Sequence, residues 1–129
     1  MLDELQELIE EYKRRFKVRL VVLFGSMARG DYTDESDIDL LVVADDLPGD
    51  PREAFALLRS PKIPRLNPIG FKTEIFLKKL KEGSTFTLEV LEDGKTLYAD
   101  REFLEIVTEI FGRVRKEFIR VGKTWVKII

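Results

Sequence analysis

Cysteine and histidine are both missing from this 129-residue chain. Their absence excludes a thiol nucleophile, a disulfide framework, a zinc finger, a Ser-His-Asp triad and a histidine general base. Any catalysis must therefore run on carboxylates, hydroxyls, lysines, arginines and bound metal. No uninterrupted apolar run approaches the ~18 residues of a membrane span, so no membrane partner is expected. The opening MLDELQELIEEYKRRF has no apolar core of signal-peptide length, and the expected location is the cytoplasm. A basic excess is missing too: 22 Lys and Arg stand against 24 Asp and Glu, for a net charge of −2. With no long basic block either, a nucleic-acid partner is not indicated. Internal repeats and low-complexity segments are absent as well.

What is present is a chain with 44% hydrophobic and 36% charged residues, enough for one core beneath a heavily charged surface. Residues 1–129 are read as a single domain. Enrichment in Lys and Glu would suit a thermophile.

Leu2, Leu5, Leu8, Ile9, Tyr12 and Phe16 recur at helical spacing, with acids early and Lys13, Arg14 and Arg15 late, as the helix dipole favours. Lys17 to Phe24 reads as a central, covered strand because its apolar run is nearly continuous. A loop over 45–51 leads to a short helix opened by Pro51, and 65–71 reads as a third strand. Pro64 and Pro68 make that strand an edge or a bulged one. Thr73 is read as the cap of a helix reaching Lys81, and Ser84 as the cap of another over 86–92. An extended segment over 95–98 follows. From Asp100, apolar spacing predicts a long helix to about residue 121, with an apolar tail over 122–129. The element order predicts an α+β, two-layer domain: a small mixed sheet with helices packed on one face.

The stretch LVVLFGSMARGDYTDESDIDLLVV, residues 20–43, carries the chemistry. Aspartate is depleted in strands, yet Asp37 and Asp39 stand at alternate positions at the start of an apolar run. Alternation sends both side chains to one face, roughly 7 Å apart along the backbone. Two converging carboxylates repel unless a cation lies between them, and hard oxygen ligands favour Mg²⁺ or Mn²⁺. Magnesium typically takes only one or two protein carboxylates beside phosphates and waters, which suggests a nucleotide. Gly25 lets the preceding strand turn close to a ligand, and Ser26 offers a hydroxyl and an N–H. A short helix over 26–29 would aim its first N–H groups and Arg29 at the same phosphates. The acids of the 30–35 loop read as a solvated surface, and Tyr32 could stack on a base.

Gly25-Ser26, ten intervening residues and then Asp37-Ile38-Asp39 between apolar residues resembles the signature of the DNA polymerase beta-like nucleotidyltransferase superfamily. The fuller GSMARGDYTDESDIDLLVV is similar to the stand-alone group called minimal nucleotidyltransferases. The resemblance implies a polymerase beta palm-like fold and transfer of a nucleoside monophosphate, AMP from ATP first, to a hydroxyl. It makes Asp37 and Asp39 the catalytic and metal-binding pair, holding two ions roughly 4 Å apart. Gly25, Ser26, Arg29 and Ser36 become the nucleotide-binding residues. A third carboxylate is expected from a later strand, where this chain offers Asn67 by alternation and Glu74 downstream. Asn67 binds metal weakly and cannot serve as a base, while Glu74 also reads as a first-turn helix acid. Relatives of this kind are often paired with a HEPN-domain toxin that is neutralised by AMP transfer to a tyrosine. The implied function is thus an antitoxin enzyme with that partner. A catalytically weak member that binds nucleotide and neutralises its partner by contact is the alternative, and a small-molecule or RNA acceptor is a third reading. A homodimer is left open.

Overall fold

The structure, a computed structural model, describes residues 2–129. In chain order the first elements are α1 (Leu2–Arg15), β1 (Val18–Phe24), α2 (Ser26–Arg29), β2 (Ile38–Ala44), α3 (Pro51–Leu58) and β3 (Leu66–Lys72). There follow α4 (Thr73–Lys81), α5 (Thr85–Asp93), β4 (Lys95–Ala99), α6 (Arg101–Arg115), β5 (Phe118–Val121) and β6 (Thr124–Lys127).

The two nearly all-apolar strands take the middle of a four-stranded sheet ordered β3-β2-β1-β4. β1 runs antiparallel to both neighbours, whereas β2 and β3 are parallel. A parallel pair needs a crossover, which residues 45–65 and α3 supply. Asp50 starts α3 by accepting the Arg52 N–H at 2.8 Å, with Pro51 in the first turn. Pro68 is tolerated because β3 lies at an edge, as its prolines predict.

Strand alternation divides the core in two. Val21, Leu23, Leu40 and Val42 pack with Leu5, Leu8 and Tyr12 of α1 and Leu58 of α3. Leu20, Val22, Leu41 and Val43 pack with Phe76 and Leu80 of α4, Leu88 of α5, and Phe103, Val107 and Ile110 of α6. Helices therefore cover both faces, which corrects the expected one-sided layer within the α+β, mixed-sheet class. The cause is the composition of β1 and β2, which are apolar on both sides and need cover on both. Tyr12 is fully buried, and its hydroxyl donates to the Leu58 carbonyl, tying α1 to α3. Burial pushes its phenol well above the usual range.

Three local expectations change. Lys72 occupies the cap position of α4, and Thr73 instead donates its hydroxyl to Asp45 Oδ1 at 2.7 Å. α6 stops at Arg115 rather than near 121. The tail is a β-hairpin, β5 with β6, in which Val121 pairs with Thr124. Gly122 holds φ 61° at the first central position of its two-residue turn, where a side chain would be strained.

Candidate active site

Register brings the motif together. Phe24, the last residue of β1, faces Asp39, and Asp39 faces Asn67 of β3, so the Gly-Ser turn, one motif acid and the β3 amide share one sheet end. Asp39 and Asn67 fall on the face covered by α4, α5 and α6, because they alternate in step with Leu41 and Ile69.

Gly25 has φ 72° and ψ −154°, an arrangement costly to any L side chain. Its backbone also lies so near Asp39 that a Cβ would collide with Oδ2 of that carboxylate. The other oxygen, Oδ1, accepts from Asn67 Nδ2 at 2.9 Å. Asp39 is half-buried, while Asp37 is exposed and immediately precedes β2. Asp37 lies outside the strand itself and, unlike Asp39, does not line the cavity at this sheet end. The Ile38 N–H donates to the Arg65 carbonyl at 2.8 Å. The Arg65 guanidinium in turn donates to the carbonyls of Asp34 and Ser36, which anchors the acidic loop ahead of the strand.

A cavity of about 300 Å³ opens at this sheet end, lined by Phe24, Gly25, Ser26, Arg29, Asp39 and one side of α5. A groove of about 660 Å³ along α1 is larger, but neither the Gly-Ser turn nor the paired acids line it. The chemistry therefore assigns the smaller hollow. Arg29 reaches it while standing 3.5 Å from Asp31 Oδ2, a long contact that leaves the guanidinium available to an anion.

Besides Asp37, which stands outside the cavity lining, two expected site residues are placed elsewhere. The Ser36 hydroxyl accepts the Thr33 N–H at 2.9 Å, and its own N–H donates to the Thr33 carbonyl, so it closes a loop turn and lines no part of the cavity. Glu74 follows Lys72, which pairs with Ala44 at the far end of β2, roughly 17 Å along the strand from Asp39. It is exposed in the first turn of α4, where the helix dipole favours an acid. Tyr32 is exposed on its loop and does not line the cavity.

Sequence reasoning missed the third wall. Phe86, Glu89, Val90 and Asp93 line the cavity from α5. Their spacing of three, four and seven marks one helix face, a signal that was readable, though nothing local says which element that face meets. Asp93 receives two hydrogen bonds from Arg120 of β5, both at 2.7 Å, which hold its carboxyl below the usual carboxylate range.

The donor set suits a divalent cation of the magnesium type. Its members are hard oxygens, and a glycine keeps Asp39 Oδ2 clear of side-chain bulk. Among the described residues no group of three or more acids converges to hold an ion unaided. Phosphate and water oxygens would complete the shell, as magnesium prefers.

The family model described as "Polymerase beta, Nucleotidyltransferase" matches residues 6–103. A candidate protein adenylyltransferase of Methanocaldococcus jannaschii, MJ0604, is 42% identical over 89 residues, covering 67% of this chain and 84% of its own. MJ1305 of the same organism, named likewise, is 30% identical over 94% of this chain and 90% of its own. A toxin–antitoxin crystal structure with AMP-PNP shares the fold, with a TM-score of 0.58 at 22% identity over 85% of this chain and 86% of that one. The minimal nucleotidyltransferase antitoxin complex with tri-AMPylated HEPN toxin from Shewanella oneidensis gives a TM-score of 0.54 at 20% identity, covering 89% of this chain and 83% of the matched one.

Proposed function

Because the chain belongs to the polymerase beta nucleotidyltransferase family, we propose that it transfers AMP from ATP to a tyrosine hydroxyl of a HEPN-domain toxin and thereby acts as its antitoxin. The observation that carries the reading is the contact of Gly25 with Asp39, which keeps a carboxylate against a bend free of side-chain bulk. Support for the acceptor comes from relatives named as candidate protein adenylyltransferases and from a fold shared with an antitoxin bound to AMPylated HEPN toxin.

Asp37 and Asp39 would hold Mg²⁺ or Mn²⁺, two ions in this reading, which offset phosphate charge and acidify the attacking hydroxyl. Ser26, through hydroxyl and N–H, orients the phosphates. Arg29 adds positive charge on the same side of the cavity, so the chain works by positioning and charge stabilisation. Asn67 fixes the Asp39 carboxylate through its hydrogen bond but cannot accept a proton. With no base at that position, an acceptor of pKa about 10, such as tyrosine, suits the site better than an aliphatic hydroxyl.

Asn67 also favours a second reading, in which the protein binds nucleotide and neutralises its partner by contact. Incubation with labelled ATP and Mg²⁺, with and without the HEPN protein, separates the two. Label on a partner tyrosine is the expected result. A tight unlabelled complex would establish the contact mechanism instead.

A further inference from the structure

The α5 wall of the cavity brings no cationic side chain to hold phosphate, and its chemistry is of a different kind. Phe86, Glu89 and Asp93 bring an aromatic ring and two carboxylates to the cavity that the Gly-Ser turn also lines. We infer that this wall is a base subsite: Phe86 gives a face for a nucleobase to stack on, and Glu89 accepts a hydrogen bond from the base's exocyclic amino group. The inference rests on the nucleotide reading above and adds to it the part of the chain that distinguishes one base from another.

The ring is held in place. Phe24 meets Phe86 edge to face, with centroids 5.6 Å apart and planes at 86°, and Phe71 packs at 6.3 Å. A pre-positioned ring loses little freedom when a base stacks on it. Phe86 is half-buried, so part of it still faces the cavity.

The two carboxylates differ in what they have left to give. Asp93 has both oxygens committed to Arg120. Glu89 stands 3.7 Å from Arg120 Nη2, too long for a hydrogen bond, and its oxygens keep their acceptor capacity. A carboxylate repels phosphate and attracts N–H donors. Glu89 therefore suits the base of a nucleotide whose phosphates rest on Ser26 and Arg29 in the same cavity. The cavity of about 300 Å³ falls at the small end of ligand pockets, a size for one nucleoside unit rather than a polymer.

The test titrates the full chain, in excess Mg²⁺, with ATP, with purine riboside triphosphate, which lacks the amino group, and with inorganic tripolyphosphate, which lacks the whole nucleoside. Wild type should bind ATP about tenfold more tightly than the amino-free analogue, as loss of one hydrogen bond to a charged group predicts. Glu89→Ala should bring the two nucleotides to equal affinity. Phe86→Ala should weaken both about tenfold and leave tripolyphosphate unchanged. Discrimination that persists in Glu89→Ala overturns the inference, as does equal binding of ATP and tripolyphosphate to wild type, and in both cases the polyphosphate site stands. Failure of wild type to bind either ATP or tripolyphosphate removes the nucleotide reading and the inference together.

Discussion

Asn67 occupies the one position where the chemistry of this site turns on a single atom. Its amide nitrogen donates to Asp39, where a carboxylate would instead add a second negative charge beside the first. Asn67→Asp replaces an attractive hydrogen bond with repulsion that only a cation relieves. Without Mg²⁺ the variant should melt below wild type by roughly 3 to 10 °C. Millimolar Mg²⁺ should restore most of that loss while raising Tm of wild type little. Paired melting curves with and without Mg²⁺ check this, and an equal Mg²⁺ response in both proteins would separate Asn67 from the metal site. Alternation along β3 already pointed to Asn67 as the position to line up with a third carboxylate. Its register with Asp39 was not readable, because pairing is a long-range choice made by the crossover through α3.

Elements that could be read from local pattern came out as expected, and those that depend on partners did not. α1 with its Leu stripe, the apolar β1 and β2, and proline-bearing β3 at an edge all follow from periodicity and residue type. The end of α6 does not, because Val114, Phe118 and Val121 satisfy a helical period while residues 118–121 also fit a strand. Trp125 decides the matter. It meets Phe118 edge to face at 6.4 Å and has the guanidinium groups of Arg115 and Arg120 over its ring, at 4.6 and 5.1 Å, an arrangement available only if the chain turns at Gly122. At the sheet end away from the cavity, Arg19 of β1 donates to both oxygens of Asp45 at 3.1 and 2.9 Å, and Thr73 of α4 donates to Oδ1. These bonds, Arg19 first, hold the Asp45 carboxyl below its ordinary 3.8. A depressed carboxyl contributes stability that is fully present above pH 3.8 and is lost as pH falls through its lower folded value. Asp45→Asn should therefore cost about 1 kcal/mol at pH 7, since the group is partly exposed. The difference from wild type should shrink steadily below pH 3.8. Urea unfolding at pH 7 and pH 3 measures it, and a gap that widened in acid would contradict the assignment.

At the scale of the whole molecule, helices on both faces enclose a sheet that sets two polar strand residues, Asp39 and Asn67, side by side near the Gly-Ser turn. The fold leaves one end of the two central strands open, and the cavity there is lined by the turn, Asp39 and the α5 wall. Residues 20–43 made most of this legible, since both halves of the motif are close in sequence and lie on adjacent strands. The α5 wall was not, because it comes from residues about fifty positions later and meets the motif only when the helix covers the sheet. Among the described residues no helix is long and apolar enough to cross a membrane, and the charged surface is close to neutral overall. The most direct measurement of the central claim is a crystal structure with Mn²⁺ and a non-hydrolysable ATP analogue, the metal located by its anomalous signal. The account predicts a manganese peak within coordination distance, about 2.1 to 2.3 Å, of carboxylate oxygens of both Asp37 and Asp39, bridged to the triphosphate beside Gly25 and Ser26. Nucleotide bound elsewhere on the molecule, with no metal at those two carboxylates, would contradict it.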